Sequence, residues 1–276
     1  MTATLSDVKS WIDCFSKTDI PVLKHTVREL ARLKEDDNKL SPRAIANVII
    51  NDPLMIFRLL SYSQKHKSKH QQHDVIQIEQ AIMLMGTDAF FKNLPTNCIV
   101  EDILKTNLPA LTHLLRLMKR GHRAGHYAMD WAVLHKDLHM EEVRIAALLH
   151  DLAEMLMWCF APDQMNTVFN TQHADKTLRS KAAQEQILGF RLNDLQKELV
   201  NIYQLPPLLS KLMEEEHADE TRVRNVTLAV NLARHSANGW DDAALPDDYR
   251  DIAEFLRVDV ERAKFLIGVP QEPSAS

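Results

Sequence analysis

The stretch AALLHDLAEM, residues 146–155, places a histidine and an aspartate side by side in an otherwise apolar run. Residues 141–158 are apolar nearly all round, which predicts one central, buried helix. An imidazole and a carboxylate are costly to bury without partners. His150 and Asp151 therefore either bind something, such as a metal ion, or stabilise the fold as a hydrogen-bonded pair.

Helical patterns dominate the rest of the 276-residue chain. It has only 6 glycines, and no alternating strand pattern flanks its lone Asn-Gly pair at Asn238. The dipeptides Ser41-Pro42 and Asp52-Pro53 combine an N-cap residue with proline at the first helical position. The sequence therefore predicts an all-α protein of about a dozen helices.

The order of the helices suggests two subdomains. An apolar stripe predicts a long helix over about residues 109–134, and later helices are expected at 221–236 and 247–266. A weak seam lies near Pro109, which follows Thr106-Asn107-Leu108. We expect a single domain over residues 1–275, with an N-terminal helical subdomain at 1–106, a second helical bundle at 107–270 and a tail at 271–276.

Composition limits the classes of function. The net charge of −5 gives no global reason to expect nucleic acid as a partner. The N-terminus lacks a signal-peptide pattern, and no apolar run reaches membrane-spanning length. Three widely spaced cysteines, without a C-x-x-C pair, indicate free thiols in a reducing compartment. A cytoplasmic protein without a membrane partner is expected.

A metal-dependent hydrolase built from helices would need further ligands beside the His-Asp pair. His122 and His126 are four residues apart on the apolar stripe of the long helix, so both lie on one face. Histidine nitrogens suit transition metals, and carboxylates balance the charge. The late helix NVTLAVNLARH, residues 225–235, has no carboxylate, and in the expected place it has Asn231, whose neutral amide supplies no negative charge. This favours a structural pair, and a divalent transition metal held by His122, His126, His150 and Asp151 is the alternative.

Other candidate clusters favour simpler interpretations. His66, His70 and His73 have Lys65, Lys67 and Lys69 as neighbours, which repel cations, and this indicates a solvated basic loop. The run from Glu214 to His217 is typical of a solvated acidic face. Cys159 lies among Met157, Trp158 and Phe160, which predicts a buried, unreactive thiol.

Several segments in order resemble the HDOD family, which is related to the HD-type metal phosphohydrolases. The segments are DIPVLKHTVREL (19–30), SPRAIANVIINDPLMIFRLLSYSQ (41–64), IEQAIMLMGTDAFFKNL (78–94), RIAALLHDLAEM (144–155) and AQEQILGFRLNDLQKELVNIYQLPPLL (183–209). The resemblance implies an N-terminal helical subdomain packed on a degenerate HD-like helical bundle. It also implies a helical signalling or regulatory module.

The chain departs from the family pattern at positions that bear on catalysis. Leu192 stands where the family often has a histidine, and Glu216-His217 stands where His-His is frequent. Asn231 stands where the catalytic relatives have an aspartate. We therefore expect a non-catalytic module that binds a signalling protein or a small ligand. A metal-dependent phosphohydrolase is the alternative, and a homo-oligomeric scaffold is a third interpretation.

Overall fold

The protein is helical throughout its described parts. The computed structural model describes residues 6–36, 38–67, 74–175, 177–214 and 220–270. Its helices are α1 (Val8–Ser16), α2 (Lys24–Lys34), α3 (Pro42–Ile49), α4 (Pro53–Lys65), α5 (Ile78–Met85), α6 (Thr87–Asn93), α7 (Val100–Ile103), α8 (Leu108–Leu134), α9 (Met140–Leu149), α10 (Leu152–Phe160), α11 (Pro162–Ala174), α12 (Ser180–Leu188), α13 (Leu192–Ile202), α14 (Pro207–Leu212), α15 (Thr221–His235), α16 (Leu245–Leu256) and α17 (Val260–Ile267).

The all-α prediction is confirmed. In the described residues the only β-type pairing is an isolated parallel bridge between Val22 and Ile99. The predicted caps are also confirmed, because the side chains of Ser41 and Asp52 accept hydrogen bonds from backbone N–H groups in the first turns of α3 and α4. The helices outnumber the dozen expected, since some predicted helices are interrupted.

The predicted single helix over residues 141–158 is wrong. The chain forms α9 and α10 instead, and Asp151 between them has φ −103° and ψ 30°. In a continuous helix the N–H of Ala153 would donate to the carbonyl of Leu149. Here it donates to Oε1 of Gln196 on α13, at 2.7 Å. A contact distant in sequence therefore replaces the helical hydrogen bond.

The predicted helix over 247–266 is likewise divided, into α16 and α17. Arg257 ends α16 with φ 56°, in the left-handed region. Asp259 then begins α17, because its carboxylate accepts a hydrogen bond from the N–H of Arg262 at 2.8 Å. Such a cap stabilises the start of the new helix.

The long helix α8 is confirmed, but its buried face differs from the predicted stripe. His126 and Val133 are exposed, whereas Ala124, Ala128 and Trp131 are buried. Small residues let a neighbouring helix approach closely, so the apolar stripe alone did not identify the packed face. A Cβ added at Gly125 would lie 3.2 Å from both the carbonyl oxygen of Arg144 and Cγ of Leu148 on α9.

The chain divides into two compact units, each discontinuous in sequence. Unit 1 comprises Met1–Met118 and Asp151–Ser210, and unit 2 comprises Lys119–His150 and Lys211–Ser276. The predicted subdomains are contiguous segments with a boundary near residue 106, and that division stays a prediction.

The core of unit 1 is built around α4 and α10. Six apolar residues of α4 are fully buried: Leu54, Met55, Ile56, Phe57, Leu59 and Leu60. Helix α10 contacts α4, α11 and α13, and its residues are buried on nearly every side. In unit 2, α15 occupies the equivalent central place, because it packs against both α9 and α16.

No single helix among the described residues has the length and apolar character needed to cross a membrane. One pair of segments, Met140–Phe160 and α11, meets the length and composition criteria for a membrane span when the two are taken together. These two segments are bent by 115° relative to each other. Most residues of α9 and α10 are buried within the protein.

Candidate functional site

The His-Asp pair lies at the junction between α9 and α10, where the chain also passes from one unit to the other. His150 is the last residue of that stretch of unit 2, and Asp151 is the first residue of the next stretch of unit 1. Both are half-buried, and both take part in interactions within the protein. The pair therefore stands at a helix break, which the sequence pattern did not predict.

Gln196 on α13 supports this break from within unit 1. It is buried, and its Oε1 accepts the hydrogen bond from the N–H of Ala153 in the first turn of α10. The side chain of Asp151 does not cap α10. The first N–H groups of a helix need partners from outside the helix, so Gln196 supplies one of them. Sequence reasoning missed this residue, because a glutamine within a helical pattern gives no sign of its distant partner.

The two histidines of α8 differ in their environment. His122 is half-buried and takes part in interactions within the protein, whereas His126 is exposed. They lie on the same side of α8, one helical turn apart, as predicted. His122, His126 and His150 all belong to unit 2, and Asp151 belongs to unit 1.

Within the described residues, no group of three or more histidine, cysteine, aspartate or glutamate side chains is arranged to hold a metal ion. A ligand set for a divalent transition metal is therefore not found in this part of the chain. The assignment of His122, His126, His150 and Asp151 as ligands stays a prediction that metal analysis can test.

Two positions singled out by the sequence carry side chains that are poor metal ligands. Leu192, at the start of α13, is buried, and its N–H donates to Oε1 of Gln184 at 3.0 Å. Asn231 is half-buried on α15. A buried leucine offers no lone pair, and an amide offers no negative charge.

Another asparagine of α15, Asn225, is more deeply buried than Asn231. Its Nδ2 donates to the carbonyl oxygen of Ala128 on α8 at 3.0 Å. Among the described residues its Oδ1 has no hydrogen-bond partner. The amide therefore joins α15 to α8 inside unit 2, a role that the sequence pattern did not indicate.

A buried carboxylate that the sequence identified only as a helix cap connects two segments of unit 1. Asp52 accepts hydrogen bonds from the N–H of Leu23 and the hydroxyl of Thr26, both at 2.8 Å, and from the N–H of Met55 at 3.1 Å. Burial raises the pKa of Asp52, while these hydrogen bonds act in the opposite direction. Asp52 thus joins the start of α2 to the start of α4.

The remaining candidates are partly described. Cys159 is buried as predicted, and burial raises the pKa of its thiol far above the ordinary value. His66 follows α4 and stacks on Tyr62 with ring centroids 4.0 Å apart. His70, His73 and the run from Glu215 to His217 lie outside the described residues, and so does the tail at 271–276.

Solved structures of similar fold cover almost the whole chain. The MmoQ response regulator from Methylococcus capsulatus str. Bath has a TM-score of 0.67 and 14% identity, over 91% of this chain and 98% of that one. A virulence factor from Campylobacter jejuni subsp. jejuni has a TM-score of 0.63 and 16% identity, over 97% and 92% of the two chains. An HDOD domain protein of unknown function from Geobacter sulfurreducens has a TM-score of 0.51 and 15% identity, over 95% and 92%. At these identities the likeness shows a shared fold.

The sequence itself shows the family. No curated protein matches the chain. The family profile described as HDOD domain matches residues 20–219, which is well over half of the chain. This match includes the helix break at His150 and Asp151, the buried Asp52 and the segment with Leu192. The chain therefore belongs to the HDOD domain family.

Proposed function

We propose that this protein is a non-catalytic regulatory module of signal transduction that acts by binding a partner protein or a small ligand. The HDOD family is related to the HD phosphohydrolases, so the starting point is a fold that elsewhere holds a catalytic metal centre. A response regulator is among the proteins of similar fold, which supports a role in signalling.

The observation that carries the proposal is the replacement of charged or ligating residues by neutral ones. By the resemblance to the family, Asn231 on α15 stands where the catalytic relatives have an aspartate, and Leu192, which is buried, stands where the family often has a histidine. A divalent cation needs carboxylates to balance its charge as well as imidazole nitrogens to bind it. Neutral side chains at these two positions support the proposal, because they offer neither a carboxylate nor an imidazole.

The retained His-Asp pair then has a structural role. The pair lies at the junction where α9 ends and α10 begins. At the same junction, Gln196 accepts a hydrogen bond from a backbone N–H group in the first turn of α10. A helix break supported by a side chain from another helix is sensitive to small shifts in packing. A ligand that favours one packing arrangement over another changes the population of both.

Metal analysis tests this proposal against the phosphohydrolase alternative. The protein is purified without added metal, its metal content is measured, and hydrolysis of phosphomonoesters and cyclic nucleotides is assayed with added Mn²⁺, Fe²⁺ and Ni²⁺. We expect substoichiometric metal and no turnover in the wild type. Stoichiometric metal that is lost in His150→Ala and Asp151→Asn, together with hydrolysis that both variants abolish, would show a metal-dependent enzyme.

A matched control separates a local effect from a general one. His25→Ala removes an exposed histidine of α2, and it should change neither metal content nor melting temperature. Under the structural interpretation, His150→Ala and Asp151→Asn lower the melting temperature without affecting metal content. Unchanged melting temperatures in both would contradict a structural pair.

Ligand binding is tested by thermal shift and calorimetry with a panel of nucleotides and cyclic nucleotides. A ligand that binds only the folded state raises its stability by about 2.7 kcal/mol at a hundredfold excess over Kd. A saturable shift without turnover supports a sensing module. Binding that is accompanied by conversion of the ligand contradicts the non-catalytic role.

A further inference from the structure

A histidine in the unit 1 part of α8 packs against aromatic rings from two other helices of that unit. The imidazole of His113 stacks on the indole of Trp158 on α10, with ring centroids 4.9 Å apart and an angle of 16° between the planes. It also contacts the ring of Phe169 on α11, with centroids 4.1 Å apart and planes at 48°. One imidazole therefore joins three helices, and we call His113, Trp158 and Phe169 the aromatic stack.

The three rings differ in their access to water. Trp158 is buried, His113 is half-buried, and Phe169 is exposed by 41%. Water therefore reaches the α11 side of the aromatic stack more easily than the α10 side. A proton can reach His113 without prior unfolding of the core around Trp158.

Charged and titratable groups lie near the aromatic stack on each of its three helices. On α8, Arg116 is exposed one turn after His113, and its positive charge acts on the imidazole. On α10, Glu154 accepts a hydrogen bond from the indole N–H of the stack at 3.3 Å. On α11, His173 stacks on the phenyl ring of the stack, with centroids 6.0 Å apart and planes at 7°. A charged His113 is thus placed near a like charge on its own helix.

The neutral form of His113 suits this environment better than the charged form. Burial lowers the pKa of His113, and the positive charge of Arg116 lowers it further. A cation–π attraction to the indole acts in the opposite direction. Since an ordinary histidine has a pKa of about 6.5, the unfolded chain binds a proton at this residue before the folded chain does as pH falls. The free energy of unfolding therefore decreases between about pH 6.5 and the folded pKa of His113.

We propose that His113 is a pH-sensitive contact, which packs α11 onto α8 and α10 while its ring is neutral and releases α11 when its ring is protonated in mild acid. The imidazolium leaves its two ring partners for water, and the partly exposed Phe169 loses a ring contact. This inference does not depend on the proposed function.

Contacts at the start of α11 limit the release to its later turns. The side chain of Asn107, just before α8, donates to Oδ1 of Asp163 at 3.0 Å and accepts from Nδ2 of Asn166 at 3.1 Å. Neither hydrogen bond involves His113. The first turns of α11 therefore stay next to the start of α8, while the turns that carry Phe169 loosen.

NMR titration of the full chain from about pH 7.5 to 5 tests the contact. The ring protons of His113 and the indole N–H of Trp158 are followed, and His113→Phe and Trp158→Phe assign the two signals. We expect the His113 signal to titrate with a midpoint below about 6.5, and the indole signal to shift with the same midpoint. A midpoint above that value would show that cation–π attraction outweighs burial, and it would overturn the proposal. An indole signal that does not follow His113 would do the same.

Hydrogen exchange measures the release of α11. Rates are expressed as protection factors at about pH 7.5 and 5, so that the intrinsic effect of pH on exchange is removed. In the wild type we expect protection of the amides of residues 168–174 to fall several-fold in acid. His113→Phe keeps an aromatic ring that cannot be protonated, so its protection in α11 should change little with pH.

A matched control separates the aromatic stack from other titrating groups. His25→Phe changes an exposed histidine of α2 and should behave like the wild type at both pH values. Protection in α11 that does not fall in the wild type, or that falls equally in His113→Phe, would contradict the pH-sensitive contact.

Discussion

The carboxylate oxygen Oδ2 of Asp52 lies 2.8 Å from the hydroxyl oxygen of Thr26, and both residues are buried. The same oxygen accepts a hydrogen bond from the N–H of Leu23, while Oδ1 accepts one from the N–H of Met55. One side chain therefore satisfies donors in two segments that are far apart in sequence. Removing a partner from a buried polar group costs more than the hydrogen bond itself contributes, because the group stays desolvated.

Thr26→Val should destabilise the protein by about 1–3 kcal/mol, since it keeps the side-chain shape and removes one donor to the buried carboxylate. Burial already raises the pKa of Asp52, and losing a donor to the charged form raises this pKa further. A carboxyl whose pKa is raised in the folded state lowers the free energy of unfolding above that pKa, where the charged form has to be buried. This cost is absent where the carboxyl is protonated. Thr26→Val should therefore lower the free energy of unfolding more at pH 7 than below about pH 4.

Urea unfolding of Thr26→Val at both pH values measures this effect. Thr18→Val is the matched control, because the hydroxyl of Thr18 donates only to the carbonyl of Cys14 on the exposed end of α1. It should change the free energy of unfolding by less than about 0.5 kcal/mol. Equal losses in the two variants would contradict the role assigned to Asp52.

Gln196→Leu should destabilise the protein by about 1–3 kcal/mol, because it leaves the buried N–H of Ala153 without its acceptor. Chemical denaturation followed by circular dichroism measures the change. Hydrogen exchange should also show faster exchange at Ala153 and in the first turn of α10. Gln186→Leu, at an exposed position of α12, is the control and should have little effect. Unaltered exchange at Ala153 would show that Gln196 does not support the helix break.

Arg222→Gln should weaken the link between α15 and the turn before α9. Two hydrogen bonds from Arg222 are the largest cause of the lowered pKa of Asp137. A carboxyl whose pKa is lowered in the folded state adds stability above its unfolded pKa of about 3.9, and this stability is lost as pH falls through the folded pKa. The pair is partly exposed, so its contribution is on the order of 1 kcal/mol.

Unfolding free energies of Arg222→Gln and wild type at pH 7 and below about pH 3 test that prediction. The difference between the two proteins should be present at pH 7 and shrink in acid. Arg43→Gln removes an exposed arginine of α3 and serves as the control. A difference that is the same at both pH values would assign the effect of Arg222 to packing and not to its ion pair with Asp137.

Two residues with left-handed backbone conformation at helix ends offer substitutions that should change the free energy of unfolding in opposite directions. A Cβ at Gly189, which has φ +85°, would lie 2.5 Å from the carbonyl oxygen of Ser6, so Gly189→Ala should destabilise the protein by more than about 1 kcal/mol. Gln204 has φ 54° after α13, and Gln204→Gly should stabilise by up to about 1 kcal/mol.

Melting temperatures of these two variants check the prediction. Gln186→Gly, in the interior of α12, is the control, because glycine there should destabilise by about 1 kcal/mol. Stabilisation by Gln204→Gly together with destabilisation by Gln186→Gly shows that the backbone conformation decides the sign. The opposite result at Gln204 would mean that its side chain contributes more than its strained backbone costs.

Local chemistry in the sequence was enough to predict the all-α fold, the caps at Ser41 and Asp52, the extent of α8 and the family. These features depend on residues a few positions apart, so periodicity and capping patterns report them directly. The burial of Cys159 was also predictable, because its immediate neighbours are apolar.

Only the tertiary structure decided where the helices break and which faces are buried. The junction at His150 and Asp151 depends on Gln196, which lies more than forty residues later, and the link made by Asp52 depends on Thr26, which lies 26 residues earlier. The buried face of α8 was set by small residues that admit a neighbouring helix. Hydrogen bonds and close approaches between distant segments leave no periodic trace in the sequence, which is why the pattern predicted helices more reliably than their contacts.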